Sequence, residues 1–122
     1  GLPLFGLPFS CLEEAAARAG VPFVREAFSD RAYHDHGGLG DRRRADAMLL
    51  EPQAVADRVV RMAAEGVVRS VEGSDVKLEP GTICFHADTP PVLAFLEAAR
   101  KGLEERGVRI GLSGTCDQVA GT

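Results

Sequence analysis

The sequence predicts an α/β fold built on a parallel sheet, either part of a (β/α) barrel or a small open α/β domain. Three observations point there. Short apolar runs alternate with longer stretches of helical period, the pattern of βα units. The run "TICF" (82–85) is apolar without alternation, as a strand covered on both faces would be. About three βα units can be read, whereas a closed barrel needs about eight units and roughly 250 residues. The chain has 122.

The elements follow in order. "GLPLFGLPF" (1–9) reads as a buried strand running into a turn. Ser10 starts a helix, and with Glu13 it fits a capping box, in which hydroxyl and carboxylate satisfy orphan backbone donors. Gly20 supplies the stop. "VPFVREAF" (21–28) reads as a second strand that turns polar at Arg25 and Glu26. Residues 29–46 form a long polar loop, and loops of that length in compact domains are usually functional or disordered. "AMLL" (47–50) is a short buried element. Pro52 suits a first helical position, and Val55, Val59 and Met62 then make one apolar stripe up to Gly66. "VVRSV" (67–71) and "VKL" (76–78) flank Glu72-Gly73-Ser74-Asp75, the turn of a small hairpin. Pro90 opens the last helix, whose apolar side carries Val92, Phe95, Leu96, Ala99 and Leu103 up to Gly107. "VRI" (108–110) adds a final strand, and residues 111–122 lack a pattern and read as a flexible tail.

Composition narrows the function classes. The apolar fraction of 45% and charged fraction of 26% are ordinary for a soluble globular chain. No apolar stretch is long enough to span a membrane, and no basic segment precedes the first apolar residues as in a signal peptide. The first residue is Gly1, so the natural start is expected upstream or removed. A net charge of −4 argues against a phosphate-backbone binder, so no nucleic-acid partner is expected. The short basic run Arg42-Arg43-Arg44 reads as a solvated face. Cys11, Cys84 and Cys116 are odd in number and form no C-x-x-C, which predicts buried or inert thiols in a reducing cytoplasm.

In parallel α/β folds, ligands sit beyond the carboxyl ends of the strands. That rule selects the turn 6–10, the stretch Arg25 to Tyr33, and His86-Ala87-Asp88. Arg25, Glu26, Asp30, Arg31 and Tyr33 bring together cations, carboxylates and a phenol. They suit a carboxylate-binding Arg fork with a carboxylate base, or equally a salt-bridge network bracing the loop. On an extended chain His86 and Asp88 share a face. They fit an acid–base pair, substrate donors, or two metal ligands with a third from His34, Asp35 or His36. The plainer alternative is that Asp88 or Thr89 caps the last helix. No GxGxxG or Walker A pattern is present.

"VREAFSDRAY" (24–33), "VVRMAAEGVVRSVEGSDV" (59–76) and "TICFHADTP" (82–90) together resemble the LamB/YcsF family, the A subunit of prokaryotic 5-oxoprolinase. The likeness runs from about Gly6 to Gly107. It implies that residues 1–110 are the C-terminal half of an irregular (β/α) barrel of the glycoside hydrolase/deacetylase type. It implies an ATP-dependent hydrolase that opens 5-oxo-L-proline to L-glutamate with B and C partner subunits, ATP being used by the assembled complex. Glu26, Asp30, His86 and Asp88 are then the expected catalytic residues. Glu26 or Asp30 is base or acid, and His86 and Asp88 polarise the amide or position water. Arg25, Arg31 and Tyr33 are expected to bind substrate, Arg31 through its carboxylate. No metal is predicted. Two alternatives are a metal-dependent, carbohydrate-deacetylase-like hydrolase and a non-catalytic remnant acting as an interaction module. The sequence departs from the family at Phe9, where Gly is usual and positive φ is costly for Phe. It departs again at Ala87, also a usual Gly.

Overall fold

The computed structural model of the protein describes residues 1–40 and 51–111. The expectations for 47–50, for Arg42-Arg43-Arg44, for Cys116 and for the tail beyond Gly111 lie outside the described residues. The elements are β1 (Leu4–Gly6), α1 (Cys11–Ala19), β2 (Phe23–Phe28), α2 (Pro52–Glu65), β3 (Val67–Arg69), β4 (Asp75–Lys77), β5 (Thr82–Cys84) and α3 (Val92–Glu105). Strands β1, β2 and β5 form one parallel sheet in that order. β3 and β4 form an antiparallel hairpin inserted between α2 and β5. Among the described residues, no helix is long and apolar enough to cross a membrane.

Local signals set the helices. The Ser10 hydroxyl accepts the Glu13 N–H at 3.2 Å, and the Glu13 carboxylate accepts the Phe9 N–H at 3.2 Å. This is a capping box reaching one residue further back than usual. Pro52 follows the N-cap Glu51, whose carboxylate accepts the Ala54 N–H at 2.8 Å. α2 stops at Gly66 with φ 73°, and the Gly66 carbonyl then accepts the N–H groups of Leu78 and Glu79, both at 2.9 Å. One glycine thus ends the helix and docks the exit of β4.

Register assigns the faces of the sheet. Phe5 pairs with Val24, Glu26 with Thr82, and Phe28 with Cys84, so these side chains share one face. Gly6 with Arg25 and Ala27 with Ile83 occupy the other. The second face is covered. Ala27 and Ile83 pack with Tyr33, Met62, Val68, Val76 and Leu78, and Ile83 and Phe85 pack with Val55, Val59, Phe95, Ala99 and Leu103 of α2 and α3. At its β1 end, a Cβ on Gly6 would lie 2.9 Å from the Phe23 ring and 3.1 Å from Leu12 of α1. A larger residue there would have to push aside the ends of those two side chains.

Several expectations need correction. β1 is not buried: as the edge strand it leaves Leu4 40% exposed on the helix side and Phe5 50% exposed on the other. β5 is half-buried throughout rather than covered on both faces. Its run without alternation matches helices on one side only. Val108 to Ile110 form no strand; Val108 packs on the α2–α3 cluster and Ile110 is exposed. α3 starts at Val92 after Pro91, and Leu96 lies outside its buried stripe. Phe9 takes φ 61° although it is not glycine.

Candidate active site

The turn after β2 is stitched to the end of β5. The Ser29 N–H and hydroxyl both donate to the Cys84 carbonyl, at 3.0 and 2.9 Å. The next residue, Asp30, is 1% exposed. Its Oδ1 lies 2.8 Å from His86 Nδ1, and its Oδ2 accepts the Thr89 hydroxyl at 2.9 Å. Both carboxylate oxygens are therefore engaged, which makes Asp30 an acceptor and orienter rather than a group open to a ligand. The His86 side chain is 21% exposed. In the neutral tautomer that donates from Nδ1 to this carboxylate, Nε2 is the acceptor nitrogen. The Phe28 ring meets the imidazole edge-on, with centroids 4.9 Å apart, and limits its rotation.

Asp88 does not share a face with His86. The strand ends at Cys84, and residues 87 and 88 form a turn closed by the Thr89 N–H donating to the His86 carbonyl at 3.1 Å. Asp88 is exposed in that turn while Thr89 faces inward. α3 has no side-chain cap, so the capping role considered for Asp88 or Thr89 is absent, and the Thr89 hydroxyl serves Asp30. Glu26 lies half-buried on the open face beside Cys84. Burial, and secondly the Glu26 carboxylate, push the Cys84 thiol up to about 11, so it stays protonated and inert. Cys11, in contrast to expectation, is exposed on α1.

The cations and the phenol of the second candidate group are occupied within the fold. Arg25 makes a fork with Glu13, Nε to Oε2 at 2.6 Å and Nη2 to Oε1 at 3.0 Å, and donates to the Leu78 carbonyl at 3.1 Å. Its guanidinium sits 4.9 Å from the Phe9 ring centre. Glu13 is held below the ordinary carboxylate range, mainly by that hydrogen bond, and Arg25 is raised in return. Arg31 is buried and donates to the Gly40 carbonyl. The Tyr33 hydroxyl accepts the Phe28 N–H at 2.8 Å, and burial raises its pKa. Arg25 thus ties β2 to α1 and the exit of β4, while Arg31 and Tyr33 brace the loop.

Sequence reasoning does not single out Arg58 of α2. It donates through Nη1 to the carbonyls of Phe28 at 3.3 Å and Ser29 at 2.8 Å. Its guanidinium lies 5.4 Å from the centre of the Tyr33 ring. Burial lowers it to about 10, opposed by Tyr33 and Asp30, so it remains a cation at neutral pH. Elsewhere, His34 pairs with Glu72 at 2.9 Å, Asp35 accepts the Ser70 hydroxyl, and the His34 and His36 rings stack at 5.5 Å. Among the described residues, no three of His, Cys, Asp and Glu gather closely enough to hold a metal ion.

The model of the LamB/YcsF family matches residues 1–117. The 5-oxoprolinase A subunit of Chloroflexus aggregans is 41% identical over 109 residues, which cover 89% of this chain and 43% of the relative. That of Streptomyces avermitilis is also 41% identical, over 89% of this chain and 44% of the relative. Among solved structures, the lactam utilization protein of Thermus thermophilus superposes with a TM-score of 0.83 at 37% identity, covering 90% of this chain and 43% of that one. The chain thus spans less than half the length of the curated relatives it matches.

Proposed function

The chain belongs to the LamB/YcsF family, and on that premise we propose that it serves the hydrolytic opening of the 5-oxoproline lactam ring to glutamate, within a 5-oxoprolinase assembly. The observation that carries this reading is the contact of buried Asp30 with the partly exposed His86 at the carboxyl end of a parallel sheet. The names of its relatives, 5-oxoprolinase A subunit and lactam utilization protein, supply the substrate class.

In this reading His86 Nε2 takes a proton from water as the water oxygen attacks the lactam carbonyl carbon. The same nitrogen returns the proton to the ring nitrogen as the carbon–nitrogen bond breaks. Asp30 holds the imidazole and balances the imidazolium, and Thr89 holds Asp30. Glu26 is the further acid or base, on the same open face. Asp88, exposed at the rim, is placed to meet substrate or a partner. Arg25, Arg31 and Tyr33 are assigned to the scaffold instead of the substrate. The sheet with helices on one face would form part of an irregular (β/α) barrel, with β1 and β5 at its open edges.

ATP belongs to the assembly with the B and C subunits. The described residues do not fit a triphosphate: they offer no glycine-rich phosphate loop, and Arg25, Arg31 and Arg58 near the site are already bonded to a carboxylate or to carbonyls. The exposed apolar residues of β1 favour a second reading, a non-catalytic interaction module. One experiment separates them. Glutamate release from 5-oxoproline is measured with the assembled complex, with Asp30→Asn or His86→Ala in this chain. A fall in kcat of about 10²–10⁴-fold is expected. Full activity in both variants removes the pair from the mechanism and favours the interaction module.

A further inference from the structure

We infer that Arg58 is a positioning residue, which sets the Asp30–His86 pair by clamping the two peptide carbonyls that precede Asp30. The polar groups of that segment are fully accounted for. The Phe28 N–H goes to the Tyr33 hydroxyl at 2.8 Å, and the Ser29 N–H and hydroxyl go to the Cys84 carbonyl. The Phe28 and Ser29 carbonyls both accept from Arg58 Nη1. β5 thus holds the turn from one side through Ser29, and α2 holds it from the other through Arg58. Removing the guanidinium would leave two carbonyls without this donor immediately before a carboxylate that is 1% exposed.

Charge and shape both suit this task. The Arg58 cation and the Asp30 carboxylate attract each other. The planar guanidinium lies against the Tyr33 ring, and the Tyr33 hydroxyl holds the Phe28 N–H. Clamp, ring and turn therefore fix one another, and Arg58 acts on chemistry only through Asp30. An arginine that merely tied α2 to the sheet would affect stability and leave the imidazole contact alone.

The catalytic part of the inference rests on the hydrolase reading above, but the geometric part does not. The test uses the full chain labelled with ¹⁵N-histidine and, separately, its assembled complex. In the wild type, proton NMR should show a downfield His86 Nδ1–H resonance from the bond to Asp30, and Asp30→Asn should abolish it. Arg58→Met, which keeps the stem but not the donors, should broaden or lose that signal. It should also lower kcat for glutamate release by about 10- to 100-fold with KM little changed. Arg58→Lys, a compact ammonium without the planar fork, should fall between. An unchanged resonance and unchanged kcat in Arg58→Met, with only a lower Tm, overturns the inference. If Arg58→Met does not fold, Arg58→Lys carries the same two readouts, and wild-type values in both overturn it equally. If the wild-type complex releases no glutamate, the hydrolase reading fails while the resonance still decides the positioning role.

Discussion

On one face of the parallel sheet, Ala27, Ile83 and Phe85 pack beneath α2 and α3, among residues that are almost fully buried. On the other, Phe5, Val24, Glu26, Phe28, Thr82 and Cys84 stand half-buried or exposed, with no side chain among them fully covered. Under α2 and α3 the covered face carries apolar side chains, with Arg25 at its edge, while the open face mixes apolar with ionisable ones. Parallel sheets are ordinarily buried on both faces, so the open face is built for further cover. The family's longer members, more than twice this length, have chain to spare for it. Burial in the described part is thus concentrated on one side, while Glu26, Cys84 and the edge of His86 stand half-buried on or near the other.

The sharpest way to break this contrast is a matched pair of truncations. Phe95→Ala, at the centre of the α2–α3 cluster, should cost about 3–5 kcal/mol. Phe5→Ala, on the open face, should cost about 1 kcal/mol or less. Urea midpoints for both variants decide it, and equal losses would mean that the open face is covered in solution.

A smaller effect tests the edge of the covered face, where Arg25 meets Glu13. Glu13 is held below its ordinary range by Arg25, so its folded pKa lies under its unfolded one. Its contribution is then complete above the unfolded value and is lost as pH falls through the folded value. Glu13→Gln should lower stability by about 1 kcal/mol at pH 7. Melting curves should show the gap from wild type closing as the solution is acidified past the carboxylate range. A gap that is constant with pH would show that the charge of Glu13 is not what matters.

The smallest change concerns Phe9, whose φ of 61° is unusual for a bulky side chain. Phe9→Gly relieves about 1 kcal/mol of strain, forfeits a cation–π contact of about 0.5–1 kcal/mol with Arg25, and adds freedom to the unfolded chain. The net shift in thermal stability should stay near zero. A clear stabilisation would show that the contact with Arg25 contributes little.

The parts legible in the sequence are those governed by short-range signals. Ser10 with Glu13, Pro52 and Gly66 act within a few residues, and each forms where expected. The hairpin forms too, but its turn spans 70–74 rather than 72–75, closed by Ser70 and Ser74, and Asp75, already in β4, pairs with Arg69. The rim rule brings out Asp30 and His86 because strand ends in βα units have a fixed sense. Their mutual contact is not legible, since no local pattern pairs residues that follow β2 and β5. Arg25 resembles a substrate fork in sequence because its partner, Glu13, sits on a helix whose docking angle the sequence does not state. Thr89 resembles a helix cap because the turn that swings its hydroxyl back to Asp30 depends on where β5 ends. Arg58 sits one position from the buried stripe of α2, where an arginine usually means solvent. The apolar run of β5 signals a need for cover but not which segment supplies it.

The bond between Asp30 and His86 spans 56 residues of sequence, enclosing all of α2 and the β3–β4 hairpin. Closing so long a loop costs entropy, which the contact alone does not offset. Its appearance waits on the side-by-side meeting of β2 and β5. The Asp30–His86 contact is therefore a product of tertiary assembly, present only where two strands distant in sequence lie side by side.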